Sequence, residues 1–124
     1  MSNSQPEEIG IAPISGINEA VLDGVLVEKP QFRSTPQGRS VVTLILGHRS
    51  EVSDLKPISR LEVQMSVVAL GSLANACRDI KVGTPLRVRG RLNQKRWIRQ
   101  GVTRWGQTEL VAQSLEPLND STDN

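Results

Sequence analysis

Seven cations fall between Arg87 and Arg104 (Arg87, Arg89, Arg91, Lys95, Arg96, Arg99 and Arg104), and the chain's two tryptophans, Trp97 and Trp105, lie among them or just beyond. No acid occurs between Ile80 and Thr108. Guanidinium and ammonium groups release condensed counterions when they meet phosphates, and an exposed indole offers a nucleobase a stacking surface. In an extended strand, side chains alternate between faces. Arg87, Arg89, Arg91, Asn93, Lys95, Trp97 and Arg99 would then share one face, a cationic track with an indole on it. The two tryptophans also flank a turn expected around Gln100-Gly101. They could pin a hairpin together as cross-strand partners, and one paired indole could still keep a face open.

Other basic positions extend this reading. Arg49, Lys56 and Arg60 surround a polar stretch, Arg49 to Ser59, where a basic groove could continue, although each alone is more often a solvated charge. Arg33 stands beside Phe32, the single phenylalanine, which suits a small core as well as it suits a contact. Arg78 and Lys81 end a helical segment favourably.

Catalysis finds little support. His48 is the only histidine and Cys77 the only cysteine, so no His or Cys pair has metal-ligand spacing. Cys77 sits in an apolar context that suits an inert, buried thiol. There is no glycine-rich phosphate loop and no nucleophile elbow. No cofactor is expected.

The elements that must carry these residues read mostly as strands. Glu19 to Lys29 is apolar at Val21, Leu22, Val25, Leu26 and Val27, with Gly24 where a strongly bent strand needs it. Ser34 to Gly38 is a turn by composition, Ser40 to His48 a β-branched second strand, and Arg49 to Ser59 a loop. Arg60 to Leu70 is a third strand with Leu61, Val63, Met65 and Val67 alternating. A short helical segment begins at Gly71-Ser72 and ends near Lys81. The fourth strand sets Leu86, Val88, Gly90 and Leu92 against Arg87, Arg89 and Arg91, and a basic hairpin from Asn93 to Gly106 leads to a fifth strand, Gln107 to Leu118. Three strands, a short helix and two more strands match the order of an all-β, five-stranded OB-fold barrel. A twisted open sheet with one helix would show the same elements.

Length and composition set the frame. The chain's 124 residues suit one domain, and 37% hydrophobic residues suffice for one modest core. Met1 to Ile17, rich in Ser, Asn, Pro, Gly and Glu, reads as a flexible extension. Residues 18–118 then form the OB domain, and Asn119 to Asn124 a disordered tail. The net charge of +2 conceals a basic middle: from Lys29 to Gly106 there are 15 basic residues and four acids. That balance suits a polyanionic partner. The start has neither the basic nor the apolar region of a signal peptide. A lone cysteine fits a reducing cytoplasm.

In this order the segments resemble the primosomal replication protein N family, PriB, itself related to bacterial single-stranded DNA-binding protein. The resemblance rests on Asp23-Gly24, His48-Arg49-Ser50, Val63-Gln64-Met65-Ser66-Val67-Val68 leading to Gly71, Val82-Gly83, Val88-Arg89-Gly90 and Leu110-Val111-Ala112. It implies a homodimeric OB-fold protein that binds single-stranded DNA and helps reload the replicative helicase, with the restart helicase PriA and the loader DnaT as partners. It also implies DNA contacts from Lys95, Arg96 and Arg99, and it sets Arg49 and Arg33 at basic positions of the family. Two departures stand out. Pro57 and Glu62 occupy places where aromatics are familiar in the loop between strands two and three. Leu92 to Trp97, followed by Trp105, looks instead like the strand-four hairpin of single-stranded DNA-binding protein, so stacking would have moved to that hairpin. A long Gly/Pro/Gln-rich tail with a terminal Phe is not expected, which ranks a restart protein ahead of a general single-strand binder. A third reading is an interaction module whose basic face binds an acidic protein. A cold-shock type of RNA binder would carry several aromatics along strands two and three, and there are none.

Overall fold

The structure, a computed structural model, describes residues 10–118. The flexible start and the tail expected from composition therefore fall in part outside the described residues. Six strands and one short helix follow in the order β1 (Ala20–Leu26), β2 (Gln31–Ser34), β3 (Ser40–Leu55), β4 (Ile58–Leu70), α1 (Ser72–Asn75), β5 (Pro85–Arg99) and β6 (Val102–Pro117).

The sheet runs β1-β5-β6-β4-β3-β2, and β1 also pairs with β3, so five strands close on themselves and β2 is an appendage on β3. All pairings are antiparallel except β4 with β6, which is parallel at Ser66–Val68 against Glu109–Val111. This is the OB-fold barrel expected from the element order. Closure depends on β1 changing neighbours. Residues 20–25 pair with β5, while Val25 and Leu26 pair with Gly47 and Leu46 of β3. At that handover a Cβ on Gly24 would run into the Gly47 carbonyl. A side chain there would hold the two strands apart, which is the physical reason for the glycine.

Alternating residues of the barrel strands fill the interior: Val42, Leu44 and Leu46 from β3, Val67 and Ala69 from β4, Leu86 and Val88 from β5, Leu110 from β6, and Leu26 from β1. α1 is too short to be stable by itself. It is held because Ala74 and, two residues past its end, Cys77 are fully buried in the same cluster. The helical segment expected to reach Lys81 instead dissolves into turns after Asn75. Phe32 is half-buried against the core, with the Arg78 guanidinium 4.6 Å from its ring centre. That position assigns it to packing, and Arg78 to covering it.

Two expectations need correction. Arg49 to Ser59 is not a loop, because β3 continues to Leu55 and β4 starts at Ile58, paired from Arg49↔Glu62 to Glu51↔Arg60 and again at Leu55↔Ile58. Polar, exposed side chains hide such an extension from a reading based on burial, since neither face has a core to face. The strand β2 was also missed. Its four residues pair with Ser40–Thr43 and are too few to display a period.

Candidate nucleic-acid interface

Two hairpin arms extend beyond the barrel, one made by β3 and β4, the other by β5 and β6. Because β4 and β6 run parallel where they pair, and each arm lies N-terminal to that pairing in its strand, both arms leave the same end of the barrel. The β5–β6 arm closes at Gln100-Gly101, both with positive φ (54° and 76°), between the pair Arg99↔Val102. Two left-handed residues in a two-residue loop match the twist of a hairpin. The turn is where the sequence put it.

The register decides how the arm's side chains divide. Its two irregularities, between Arg89 and Gly90 and between Gln94 and Arg96, put the extra residue on β6 each time. β5 therefore alternates without interruption, and Arg89, Arg91, Asn93, Lys95, Trp97 and Arg99 share the outer face, as expected. The tryptophans are not cross-strand partners. Trp97 stands opposite Arg104, and Trp105 stands opposite Arg96, so the indoles lie on opposite faces of the ribbon. On each face the indole has a guanidinium directly across from it. The Arg96 guanidinium lies 5.3 Å from the Trp105 ring centre. Trp97 lies across Gly106, where a Cβ would sit 3.1 Å from the ring. The bulge beside Gly106 is held by Gln94, whose amide donates to the Gly106 carbonyl at 2.8 Å. Trp97 and Trp105 are 45% and 43% exposed, which leaves each indole surface for a ligand.

The cations are not equally free. Arg87 makes a two-pronged contact with Asp23, Nε to Oδ1 at 2.7 Å and Nη2 to Oδ2 at 2.8 Å. The hydrogen bond from Arg87 holds the Asp23 carboxyl below its ordinary value of 3.8, and the same pairing raises Arg87. Lys95 reaches Glu109 at 3.9 Å. Glu109 is nearly buried and also accepts from Asn93 at 3.3 Å. A buried carboxylate needs such compensation, so part of the Lys95 charge is committed inward. Arg49 pairs with Glu62 at 3.2 Å across the β3–β4 arm. Among the described residues, Arg89, Arg91, Arg96, Arg99 and Arg104 make no ion pair with a carboxylate.

The remaining sequence candidates scatter. Arg60 lies on the β3–β4 arm opposite Glu51, and Lys56 lies at the arm's turn. Arg33 sits on β2 opposite Val41, about 26 Å along β3 from Arg49 at the usual strand rise, so it does not join the arms. Sequence reasoning missed Asp23 and Glu109 as neutralising partners, because both stand outside the acid-free stretch and only the barrel brings them in. It also missed the tie on His48. The imidazole Nδ1–H donates to the Asp23 carbonyl at 2.6 Å, and Nε2 meets the Ser50 hydroxyl at 2.9 Å. That geometry gives the histidine a structural role between β1 and β3. Burial raises the Cys77 thiol, which suits an inert packing group. Among the described residues no cluster of metal-ligating side chains occurs, and no helix is long and apolar enough to cross a membrane.

Residues 18–103 match the model of a family described as "Another single-strand binding protein family". Replication restart protein PriB of Bordetella pertussis is 36% identical over 74 residues, 60% of this chain and 69% of that protein. Single-stranded DNA-binding protein of Thermus thermophilus is 32% identical over 107 residues, 85% of this chain but 40% of that longer protein. The crystal structure of single-stranded DNA binding protein from Thermus aquaticus superposes with a TM-score of 0.72 at 26% identity, covering 84% of this chain and 51% of that one. The chain belongs to the single-strand binding protein family, where it groups with the replication restart proteins PriB.

Proposed function

We propose that this protein binds single-stranded DNA along the outer face of the β5–β6 arm and does so in replication restart, as a PriB-like component of primosome assembly. The observation that carries the site is the arm itself: Trp97 exposed beside Arg99 and Arg104, continuing toward Arg91 and Arg89, with none of these four arginines in an ion pair among the described residues. Phosphates follow the guanidinium row while a base stacks on the indole, an interaction worth about 1–3 kcal/mol per base and indifferent to sequence. Lys95 and Arg96 contribute less to this outer track, one through its commitment to Glu109 and the other through its place on the opposite face. Arg49, Lys56 and Arg60 on the second arm extend the basic surface at the same end of the barrel, and Arg33 makes no part of it.

The family resemblance supports a homodimer, the restart helicase PriA and the helicase loader DnaT as protein partners, and work in the cytoplasm where the DNA is. The role is binding rather than catalysis, with residues 18–118 acting as one domain. A second reading, a general single-strand binder, draws on the Thermus relative, whose match covers more of the chain than the PriB match does. Competition of unlabelled duplex against a labelled thymidine oligonucleotide tests the ligand class. Duplex that competes poorly supports a single-strand site, and duplex that competes equally means the arm is only a basic patch. An acidic protein that displaces the oligonucleotide at equal concentration would favour the interaction-module reading.

A further inference from the structure

The inner face of the β5–β6 arm has no role in the track described above, although it carries the second indole–guanidinium pair. Arg96 covers Trp105 there. Facing them runs the irregular segment 10–14, and the space between is an open cleft of about 990 Å³ lined by Ile11, Pro13, Leu92, Gln94, Arg96 and Trp105, among others. The segment is not there by chance of a loose end. Asn18 donates its side-chain amide to the Leu92 carbonyl at 2.9 Å and accepts from the Leu92 N–H at 2.8 Å, copying one rung of strand pairing. Residues 10–17 are thereby aimed along the arm. It does not fill the space: Ile11 and Ile14 keep 67% and 83% of their surface exposed.

One atom in this cleft lacks a partner. Nη1 of Arg96 is shielded from solvent yet has no hydrogen-bond acceptor among the described residues. A shielded guanidinium N–H without an acceptor is costly, and each such group in a folded protein calls for a physical explanation. An acceptor-bearing, flat, apolar-faced molecule answers both features: its ring stacks on the half-exposed Trp105 indole, and the Arg96 guanidinium, swung out from its shielded position into the cleft, meets an oxygen or nitrogen on the ring's edge. A nucleobase is such a molecule.

We infer that the cleft between residues 10–14 and the Arg96–Trp105 pair is a second base-binding station for the same DNA strand. The inference rests on the proposed single-strand binding at the outer face. The strand then passes over the Gln100-Gly101 tip, leaving one base against Trp97 and another inside the cleft, so the arm is gripped from both sides.

The chain has two tryptophans, so Trp97→Phe leaves Trp105 as the sole emitter. The full-length W97F protein is titrated to saturation with a labelled thymidine oligonucleotide, following anisotropy and tryptophan emission together. The expected result is a drop of about twofold in Trp105 emission at saturation. Removing residues 2–14 in the same background should weaken binding about tenfold, as loss of one stacking contact would. Arg96→Met, which keeps a stem over the indole but removes the donor, should weaken it comparably without lowering the melting temperature. Saturated binding with unchanged emission overturns the inference. So does tighter binding after removal of residues 2–14, which would make the segment a competitor of DNA. If the unaltered protein binds no oligonucleotide at low salt, the outer-face reading itself falls, an outcome distinct from binding that Trp105 does not sense.

Discussion

Among the arm's cations, charge counts less than what each charge already touches. Lys95 lies near the almost buried Glu109, whereas Arg99 and Arg104 flank Trp97 without a carboxylate partner among the described residues. Each phosphate contact to a single strand contributes about 0.7 to the slope of log K against log salt. Arg99→Ala and Arg104→Ala should therefore each flatten the slope by about that amount, and Lys95→Ala by less, with a lower melting temperature because Glu109 loses compensation. Equal slopes for all three would show that the Glu109 contact does not matter for binding. Trp97→Ala should weaken binding with little change of slope, as expected for stacking. Asp23 offers a test by acidity. Arg87 lowers its folded-state value below the ordinary 3.8, so the pair stabilises the fold above that value and the contribution is lost as pH falls through the lowered one. Asp23→Asn should then be less stable than the unaltered protein near neutrality, with the difference shrinking as pH falls below about 3.8 and vanishing below the lowered value; parallel pH profiles in thermal melts would contradict the role given to this ion pair.

Strand elements explain what was legible in the sequence and what was not. The fourth strand announced itself because Leu86, Val88 and Gly90 face a core while Arg87, Arg89 and Arg91 face outward, and the turn at Gln100-Gly101 followed from its residues. The outer face of β5 was also readable, since both bulges fall on β6 and leave its alternation intact. The separation of the two tryptophans onto opposite faces was not readable. It depends on the cross-strand register near Gly106, and a one-residue shift exchanges every face. The β3–β4 arm was hidden for another reason: past His48 no interior remains to impose a period on it. Two glycine positions test the element account. Gly24→Ala puts a methyl against the Gly47 carbonyl where β1 passes from β5 to β3, and should cost about 1–3 kcal/mol of stability in a denaturant titration. Gly106→Ala is tight only against the edge of the Trp97 ring at 3.1 Å, with the Lys95 Cβ at an ordinary 3.6 Å, and the ring is a side chain that can yield. It should alter Trp97 emission and DNA affinity while leaving the fold's stability nearly unchanged; a large loss of stability would mean the ring is locked to its strand.

The whole molecule turns a modest net charge of +2 into a directional surface. A closed barrel removes its sheet edges from solvent, and the parallel β4–β6 pairing sends both arms from one end. The acids that would cancel the arm's charge are either drawn into specific pairs, as Asp23, Glu62 and Glu109 are, or fall outside the stretch from Ile80 to Thr108. Binding is thus expected to combine a salt-sensitive phosphate component with a salt-insensitive stacking component. The most direct test of this is a titration of the protein with fluorescent oligo-dT at several salt concentrations, recording oligonucleotide anisotropy and tryptophan emission in the same samples. Tight binding that weakens steadily with salt, accompanied at every salt by quenched tryptophan at saturation, is the expected result. Absence of binding at low salt, or binding that leaves both indoles unquenched, would contradict it and leave the arm as a docking surface for an acidic protein.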